Sequence, residues 1–458
     1  MKVPMIIKNK EQLATTRIRK AALEIVEAGI ERVLPSTVLE KGIHFDADRK
    51  MLQIDDDIFS ISNGRIFVIG GGKASGLMAK SLEIIVGLDQ ITDGIVLCKE
   101  TQIRPKHIKT LNAGHPIPDQ RGISGVQSML QLKNQYSICR DDFVICLISG
   151  GGSALMPFPA NGITLSDKRI LTEQLLLSGA SINEINAVRK HISNIKGGRL
   201  GQFFSPATII SLIISDVVGN DLSVIASGPT FPDSSTFADA LKILQQYGLF
   251  EKAPPAVIEL LKKGCQGSIP ETPKTLDNCY NYIIGDNLLA LEAMAEKAKD
   301  LGFNPRILTS QQKGDTQTVA EYIAKEVLKP INQEFDVFLL GGETTIKLPE
   351  IAGKGGRNQH YAAVSLDAMK VCPDEWALCS IGSDGSDYLS EVAGAIVDRH
   401  TITCLDNENI EVQPFLDSCD SNTLLNKVGN SIVVTGNTDT NVGDLIVYIL
   451  DRKNKSED

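Results

Sequence analysis

The sequence predicts an α/β protein of two three-layer α/β/α domains with mostly parallel sheets, on three observations. Short apolar runs alternate with helix-period stretches along almost the whole chain. Several of these runs end in glycine clusters, at Gly70–Gly72, Gly150–Gly152, Gly341–Gly342 and Gly382–Gly385. And 458 residues exceed what one ordinary hydrophobic core spans. Strands covered on both faces read as continuous apolar runs, and ligands of such sheets bind beyond the strands' carboxyl ends.

In chain order the predicted strands are Ile66–Ile69, Gly94–Cys98, Phe143–Ile148, Ile209–Ile214, Tyr282–Ile284, Arg306–Leu308, Val337–Leu340 and Ala377–Ile381. Helical patterns between them include Ala74–Ile85, Leu288–Leu301 and Thr316–Leu328. The stretch from Glu251 to Asn278 is the richest in proline and lacks strand signals, which places the domain boundary at 255/256 and the two domains at 1–255 and 256–458.

With 42% hydrophobic and 22% charged residues, the composition is that of a globular protein in water. A net charge of −10 argues against a nucleic-acid or anionic-membrane surface, so any anionic ligand needs a local cationic pocket. The partner this leaves is a small molecule, with the protein itself a monomer or homodimer. Nine cysteines without C-x-x-C pairs fit neither a disulfide scaffold nor a zinc site. Cys98, Cys146 and Cys379 lie in apolar runs and read as small core residues of a reducing compartment. The charged N-terminus has no apolar run long enough for a signal peptide or span, and a cytoplasmic location is expected.

The first chemical motif is IFVIGGGKASGLMAK, Ile66 to Lys80. A P-loop requires G-x-x-x-x-G-K-[ST]; here Lys73 follows Gly72, but Phe67 stands in the first glycine's place and Ala74 in that of the Ser or Thr. The standard P-loop is excluded, along with its hydroxyl ligand for magnesium. What remains is a strand that ends in glycines and opens a helix, aiming N–H groups and positive partial charge at an anion. LISGGGSALMPFP, Leu147 to Pro159, repeats the arrangement, with Ser149 before and Ser153 after Gly150, Gly151 and Gly152. Two such loops, each at a strand's carboxyl end, point to anion binding. In NAGHPIPD, His115 is flanked by Pro116 and Pro118 and is placed to contact a ligand.

The stretch Asn183–Leu200 reads as one amphipathic helix, with Ile185, Val188, Ile192 and Ile195 on its apolar stripe. Asn186, Arg189, Lys190, Ser193 and Lys196 share another face, a candidate wall for an anionic substrate. Beyond the strand at Ile209–Ile214, Asp216 is the candidate metal ligand or base, since carboxylates there hold Mg²⁺ beside phosphates. Asp221, in a GND turn, reads equally as a turn cap. Glu343 follows the strand Val337–Leu340, and Arg357 opens the next helix, where a guanidinium opposes the helix dipole and so suggests a phosphate clamp. Asp384 and Asp387 follow a further glycine-ended strand.

Taken in order, GGGKASGLMA, NAGHPIPD, SGGGSAL, NAVRKHISNIKGGRL, SDVVGNDLSVIASGPT, GDN, GGETT, GGRNQH and TNVGDL resemble the glycerate 2-kinases that carry a C-terminal MOFRL domain. The resemblance spans nearly the whole chain. It implies two Rossmann-like α/β domains with an active-site cleft between them, the MOFRL region falling at about 335–450. It implies ATP-dependent phosphorylation of D-glycerate on its 2-hydroxyl, with a divalent cation such as Mg²⁺. The family's conserved lysine and arginine match Lys73 and Arg357. On this reading Lys73 and Arg357 neutralise the transferred phosphoryl group, helped by Arg189, Lys190 or Lys196, and the Gly150–Ser153 loop cradles a carboxylate or phosphate. Gly71, Gly72, Gly341, Gly342 and Asn441 line the nucleotide. Asp216, Glu343 and Asp384 are the candidates for Mg²⁺ or for accepting the hydroxyl proton.

Two loops depart from the family pattern. G-T-D-G-x-D-G-P-T is replaced by GSDGSDYLS, Gly382 to Ser390, and G-P-T-G-T-N-V by GNTDTNV, Gly436 to Val442. Tyr388 and Asp439 thus stand where glycine is usual, which bears on the acceptor and on loop closure rather than on the fold. Relatives named hydroxypyruvate reductases raise an oxidoreductase alternative. Against it, no G-x-G-x-x-G with an acidic residue about twenty positions on follows any strand. A third reading is a relative that binds glycerate or ATP without turnover.

Overall fold

The computed structural model describes residues 5–99 and 103–452; residues 1–4 of the charged N-terminus lie outside it. The chain forms two compact units, Pro35–Ile284, and Met1–Leu34 together with Gly285–Asp458.

In the first unit a small antiparallel meander, β1 (Ile43–Asp46), β2 (Met51–Ile54) and β3 (Asp57–Ser60), precedes the main sheet. That sheet holds β4 (Ile66–Gly71), β5 (Ile91–Cys98), β6 (Lys109–Asn112), β7 (Phe143–Ser149), β8 (Thr208–Ile214) and β9 (Cys279–Gly285) in the order β6-β5-β4-β7-β8-β9. β6, β5, β4, β7 and β8 all run parallel. β4 and β7 are buried at every position, as continuous apolar strands of a two-sided sheet must be. Strand order reverses between β4 and β7, because the chain runs outward from β4 to β6 and then resumes on β4's other side. Such a switch point opens a crevice at the carboxyl ends. Both glycine loops of the sequence lie there.

The second unit's sheet contains β10 (Pro305–Gln312), β11 (Val337–Gly342), β12 (Glu375–Gly382), β13 (Gly394–Asp398), β14 (Ile432–Val433) and β15 (Asp444–Asp451), ordered β10-β11-β15-β12-β13-β14. Only β10 and β11 pair in parallel; β15 inserts antiparallel between β11 and β12, and β13 pairs antiparallel with β12. This sheet is therefore mixed, where mostly parallel pairing was expected. The last strand returns directly from a loop rather than through a crossover helix, and so it runs against its neighbours.

The unit boundaries also differ from the single crossing expected at 255/256. The proline-rich segment does not link domains: Pro254 and Pro255 start the helix Pro255–Cys265, which buries Val257, Leu260 and Leu261 in the first unit's helical core. The chain then returns to that unit's sheet as β9 before leaving it. At the other end, the helix Arg17–Arg32 belongs to the second unit, where it packs along the helix Asn287–Asp300. Gly29 permits that approach, since a Cβ there would come within 2.7 Å of Met294 Cγ and 3.3 Å of the Ala290 carbonyl oxygen.

The stretch expected as one helix over Asn183–Leu200 is broken. A helix runs over Ile182–His191, after which Asn194 N–H donates to the Phe158 carbonyl and Ala160 N–H to that of Ile192, drawing the chain into a short extended pairing. Gly197 and Gly198, with φ of 57° and 80°, then turn it into the helix Arg199–Phe204. Lys196 consequently sits on a turn and not on the face that carries Arg189 and Lys190.

Replacing Gly29 with leucine forces side chain into the closely packed helix pair. We expect Gly29→Leu to lower stability by about 1–3 kcal/mol, read as a lower urea midpoint.

Candidate active site

In the first unit the two glycine loops are tied to each other by backbone. Lys73 N–H donates to the Gly150 carbonyl at 2.8 Å, and Ala74 N–H donates to Ser149 Oγ at 2.9 Å. The approach requires missing side chains: a Cβ on Gly72 would collide with Ser149, and one on Gly151 would stand 2.8 Å from the His115 ring and 3.3 Å from Lys73 Cγ. Gly151 also holds φ of 80°, where glycine is favoured. Lys73, His115 and the Gly150–Ser153 loop therefore meet. The N–H groups of Gly151, Gly152 and Ser153 find no acceptor among the described residues.

Behind this loop, Ser153 Oγ contacts Ser227 Oγ at 2.8 Å, and Ser227 Oγ donates to Asn186 Oδ1 at 3.0 Å. Lys196, buried to 1% exposure, donates from Nζ to Ser153 Oγ and to the Ala226 carbonyl, each at 3.1 Å. Ala226 and Ser227 hold left-handed conformations at φ of 51° and 62°, a backbone cost that concentrates at functional sites. Burial, reinforced by the charges of Lys168 and Arg189, pushes the Lys196 ammonium well below the ordinary lysine value. Lys168 is shifted the same way, by burial and then by Arg189, to about 7.

The other cation of the expected wall has a different task. Lys190 is buried and forms a 3.2 Å ion pair with Asp233, whose carboxylate also accepts from Ser235 and Thr272. Lys190 is thus engaged by a carboxylate of its own unit, where a substrate contact was expected. Arg189 is half-buried, and no carboxylate pairs with it among the described residues. Asp216 follows β8 and is half-buried, beyond the carboxyl end as expected. Asp221 caps its own turn, accepting from Ser223 N–H at 2.8 Å.

In the second unit, loops at one end of β11, β12 and β15 converge on Arg357, the first residue of the helix Arg357–Met369. Its Nε donates to Asp444 and its Nη1 to Glu343, both at 2.7 Å. Asp387, buried, accepts from the N–H groups of Asn358 and Gln359 at 2.9 Å, so it supplies the cap that Gly356 lacks. Asp444 also accepts from Asn358 Nδ2 at 2.8 Å. Burial works against the Arg357 charge, but Asp444 and Glu343 outweigh it and hold the guanidinium above its ordinary value. Glu343 is thus engaged by Arg357. Asp384 turns back to accept from Ser386 N–H at 3.0 Å. Beside these groups lies a cavity of about 490 Å³ lined by Glu343, Thr344, Gly356, Arg357 and Tyr388. Gly341 faces Asn287, whose Nδ2 bridges the carbonyls of Val442 and Asp444 at 2.9 Å each, with Gly342 and Asn441 nearby in the chain.

The family model for MOFRL matches residues 336–444, and the model described as a domain of unknown function, DUF4147, matches residues 21–262. A glycerate 2-kinase from Pyrococcus horikoshii is 38% identical over 95% of this chain and 98% of its own length. The chain belongs to the glycerate 2-kinase family. A solved glycerate kinase from Thermotoga maritima shares the fold at a TM-score of 0.80 and 35% identity, covering 94% of this chain and 99% of that one. One family relative, from Agrobacterium vitis, is named a putative hydroxypyruvate reductase; it is 36% identical over 84% of this chain and 100% of its own length.

Lys168, Asn186's partner Ser227, and Asp444 escaped sequence reasoning. Lys168 did leave a trace: it occupies a core-facing position at i, i+3, i+7 with Leu171 and Leu175, where a lysine is out of place. The two family departures prove to be conformational. Tyr388 and Asp439 hold φ of 63° and 57°, the region where the family's glycine carries no penalty.

Tyr388→Gly should therefore raise stability by about 1 kcal/mol, and Asp439→Gly by less because aspartate tolerates this region, as measured by chemical denaturation. For Lys168, the unfolded chain binds the proton up to about pH 10.5 and the folded chain only to about 7. Stability from this group hence rises with pH across that window. Lys168→Met should melt above wild type near pH 7 in buffer free of polyvalent anions, with the gap closing toward pH 10.

Proposed function

We propose that this protein transfers a phosphoryl group from ATP to the 2-hydroxyl of D-glycerate. The observation that carries the reading is the laced pair of glycine loops at the β4–β7 switch point, which presents Lys73, Lys196 and unspent N–H groups to an anion. Membership of the glycerate 2-kinase family supports it. Phosphoryl transfer asks a protein for positioning and charge neutralisation rather than covalent chemistry, and this is what the loops offer.

In this mechanism Lys73 neutralises the transferred phosphoryl group and the Gly150–Ser153 loop holds an anionic group by its N–H donors. His115, wedged against Gly151, limits where that group lies. Asp216 accepts the hydroxyl proton or holds the metal. Arg357, kept charged by Glu343 and Asp444, serves as a cation beside the cavity of its own unit, and Gly341, Gly342 and Asn441 form the turn walls there.

Among the described residues no group of three His, Cys, Asp or Glu side chains converges as a metal cage. Mg²⁺ carried in on phosphates needs only one or two carboxylates from the protein, and Asp216, Glu343 and Asp384 are the candidates. Bound there, the ion would supply charge neutralisation at the phosphates. The acceptor is a small molecule, and no helix among the described residues is long and apolar enough to cross a membrane.

The reductase reading has a relative's name in its favour. The β4 turn speaks against it: with Gly70 and Gly72 as the first pair of a dinucleotide fingerprint, the third glycine's place is held by Ser75.

An ADP-release assay with MgATP and D-glycerate, with product identified by NMR, tests the proposal. We expect 2-phosphoglycerate from wild type and no activity from Lys73→Ala, whose thermal unfolding should stay close to wild type. Retained activity in that variant would falsify the role of Lys73. A nicotinamide absorbance change with hydroxypyruvate, in place of ADP release, would establish the reductase.

A further inference from the structure

Lys168 is a buried cation of the first unit that the mechanism above leaves unused. It projects from the buried face of the helix Leu165–Leu177 at 4% exposure, and its Nζ has no hydrogen-bond partner among the described residues. An ammonium taken from water without a partner costs several kcal/mol in a protein interior. Replacement by an apolar residue would remove that cost, so an unpaired lysine there needs a reason.

Its surroundings supply one. The helix Leu165–Leu177, which carries Lys168, packs against the helix Ile182–His191, which carries Arg189, and the charges of both repel that of Lys196; among the described residues no carboxylate pairs with either lysine. Lys196 donates two hydrogen bonds, to Ser153 and to the Ala226 carbonyl, of the three its ammonium can make. Ser153 belongs to the glycine loop whose N–H groups are also unspent. Lys190 provides the contrast. One residue beyond Arg189 on the same helix, it too is buried, yet it is paired with Asp233 at 3.2 Å. Lys168, Arg189 and Lys196 have no such carboxylate among the described residues, although the chain as a whole is acidic.

We propose that Lys168, Arg189 and Lys196 form one oxyanion-binding site with Ser153 and the Gly150–Ser153 backbone, and that Lys168 binds the anion directly. Its ligand is a carboxylate or phosphoryl group, carried by the acceptor or by the nucleotide. Three clustered cations and a row of N–H donors match such a group in charge and in hydrogen-bond sense. The identity of those two sources rests on the kinase reading; the site itself does not.

Isothermal titration of D-glycerate alone and of MgADP alone, into wild type and Lys168→Met, is the test. The variant should fold and melt at or above wild type without ligand, and it should bind one of the two anions about tenfold more weakly, the scale of one charge-assisted hydrogen bond. A loss confined to D-glycerate assigns the site to the acceptor carboxylate; a loss confined to MgADP assigns it to the nucleotide phosphates. Lys168→Arg, which keeps the charge, should retain most of the affinity. Both affinities within about twofold of wild type in Lys168→Met overturn the proposal. Should Lys168→Met not fold, Arg189→Met carries the same comparison. Because binding is read without turnover, the two readings separate. Wild type that binds these anions through Lys168 yet releases no ADP removes the kinase and keeps the site. Turnover with unchanged KM values in Lys168→Met does the reverse.

Discussion

The first unit depends on how closely β4 and β7 approach where their loops begin. Parallel neighbours lie about 4.8 Å apart, and at the switch point both chains must leave the sheet in the same small space. Gly72 and Gly151 solve this by having no Cβ, and the Lys73–Gly150 and Ala74–Ser149 hydrogen bonds then lock the loops together. Everything chemical follows from that lock. It sets Lys73 beside His115, exposes a row of N–H donors, and leaves Ser153 to reach Ser227 and Lys196.

The second unit solves a different problem, that of an arginine at a helix start. The helix dipole and the guanidinium repel, and the resulting cost is offset by three carboxylates with separate tasks. Asp387 caps the helix N–H groups, Asp444 takes Nε, and Glu343 takes the outward nitrogen. Asp444 and Asp387 are buried while Glu343 is exposed, so the Glu343 partnership is the one that a ligand can exchange. Tyr388 rims the same cavity in a strained conformation, and the strain persists because its neighbours Asp387 and Leu389 are tied to Val392 and to each other.

Much of the fold was legible because it is written in local patterns. Each strand expected from an apolar run is present, and the glycine clusters do end strands. Among those that escaped, β1 to β3 and β6 are short or polar strands whose pairing is decided by partners and not by their own composition, while β13 is apolar but only five residues long. The basic stretch Asn183–Leu200 was misread for a related reason. Its period is helical throughout, yet hydrogen bonds of Asn194 N–H to the Phe158 carbonyl and of Ala160 N–H to the Ile192 carbonyl tie it to a distant segment, end the helix early and place Lys196 on a turn instead of on the helix face of Arg189 and Lys190.

By itself the sequence determined the α/β class, the strand-end glycine loops, the family, and Lys73 and Arg357 as the cations to watch. These rest on side-chain period, on backbone freedom at glycine and on motif order, all of which are local. The tertiary structure alone decided the antiparallel insertion of β15, the twofold crossing between units, the pairing of Lys190 with Asp233 and the gathering of Lys168 with Arg189 and Lys196. Each of these depends on which residues far apart in the chain share a neighbourhood. For a buried charge this matters most, since its cost in the interior depends on whether an opposite charge stands at hydrogen-bond distance.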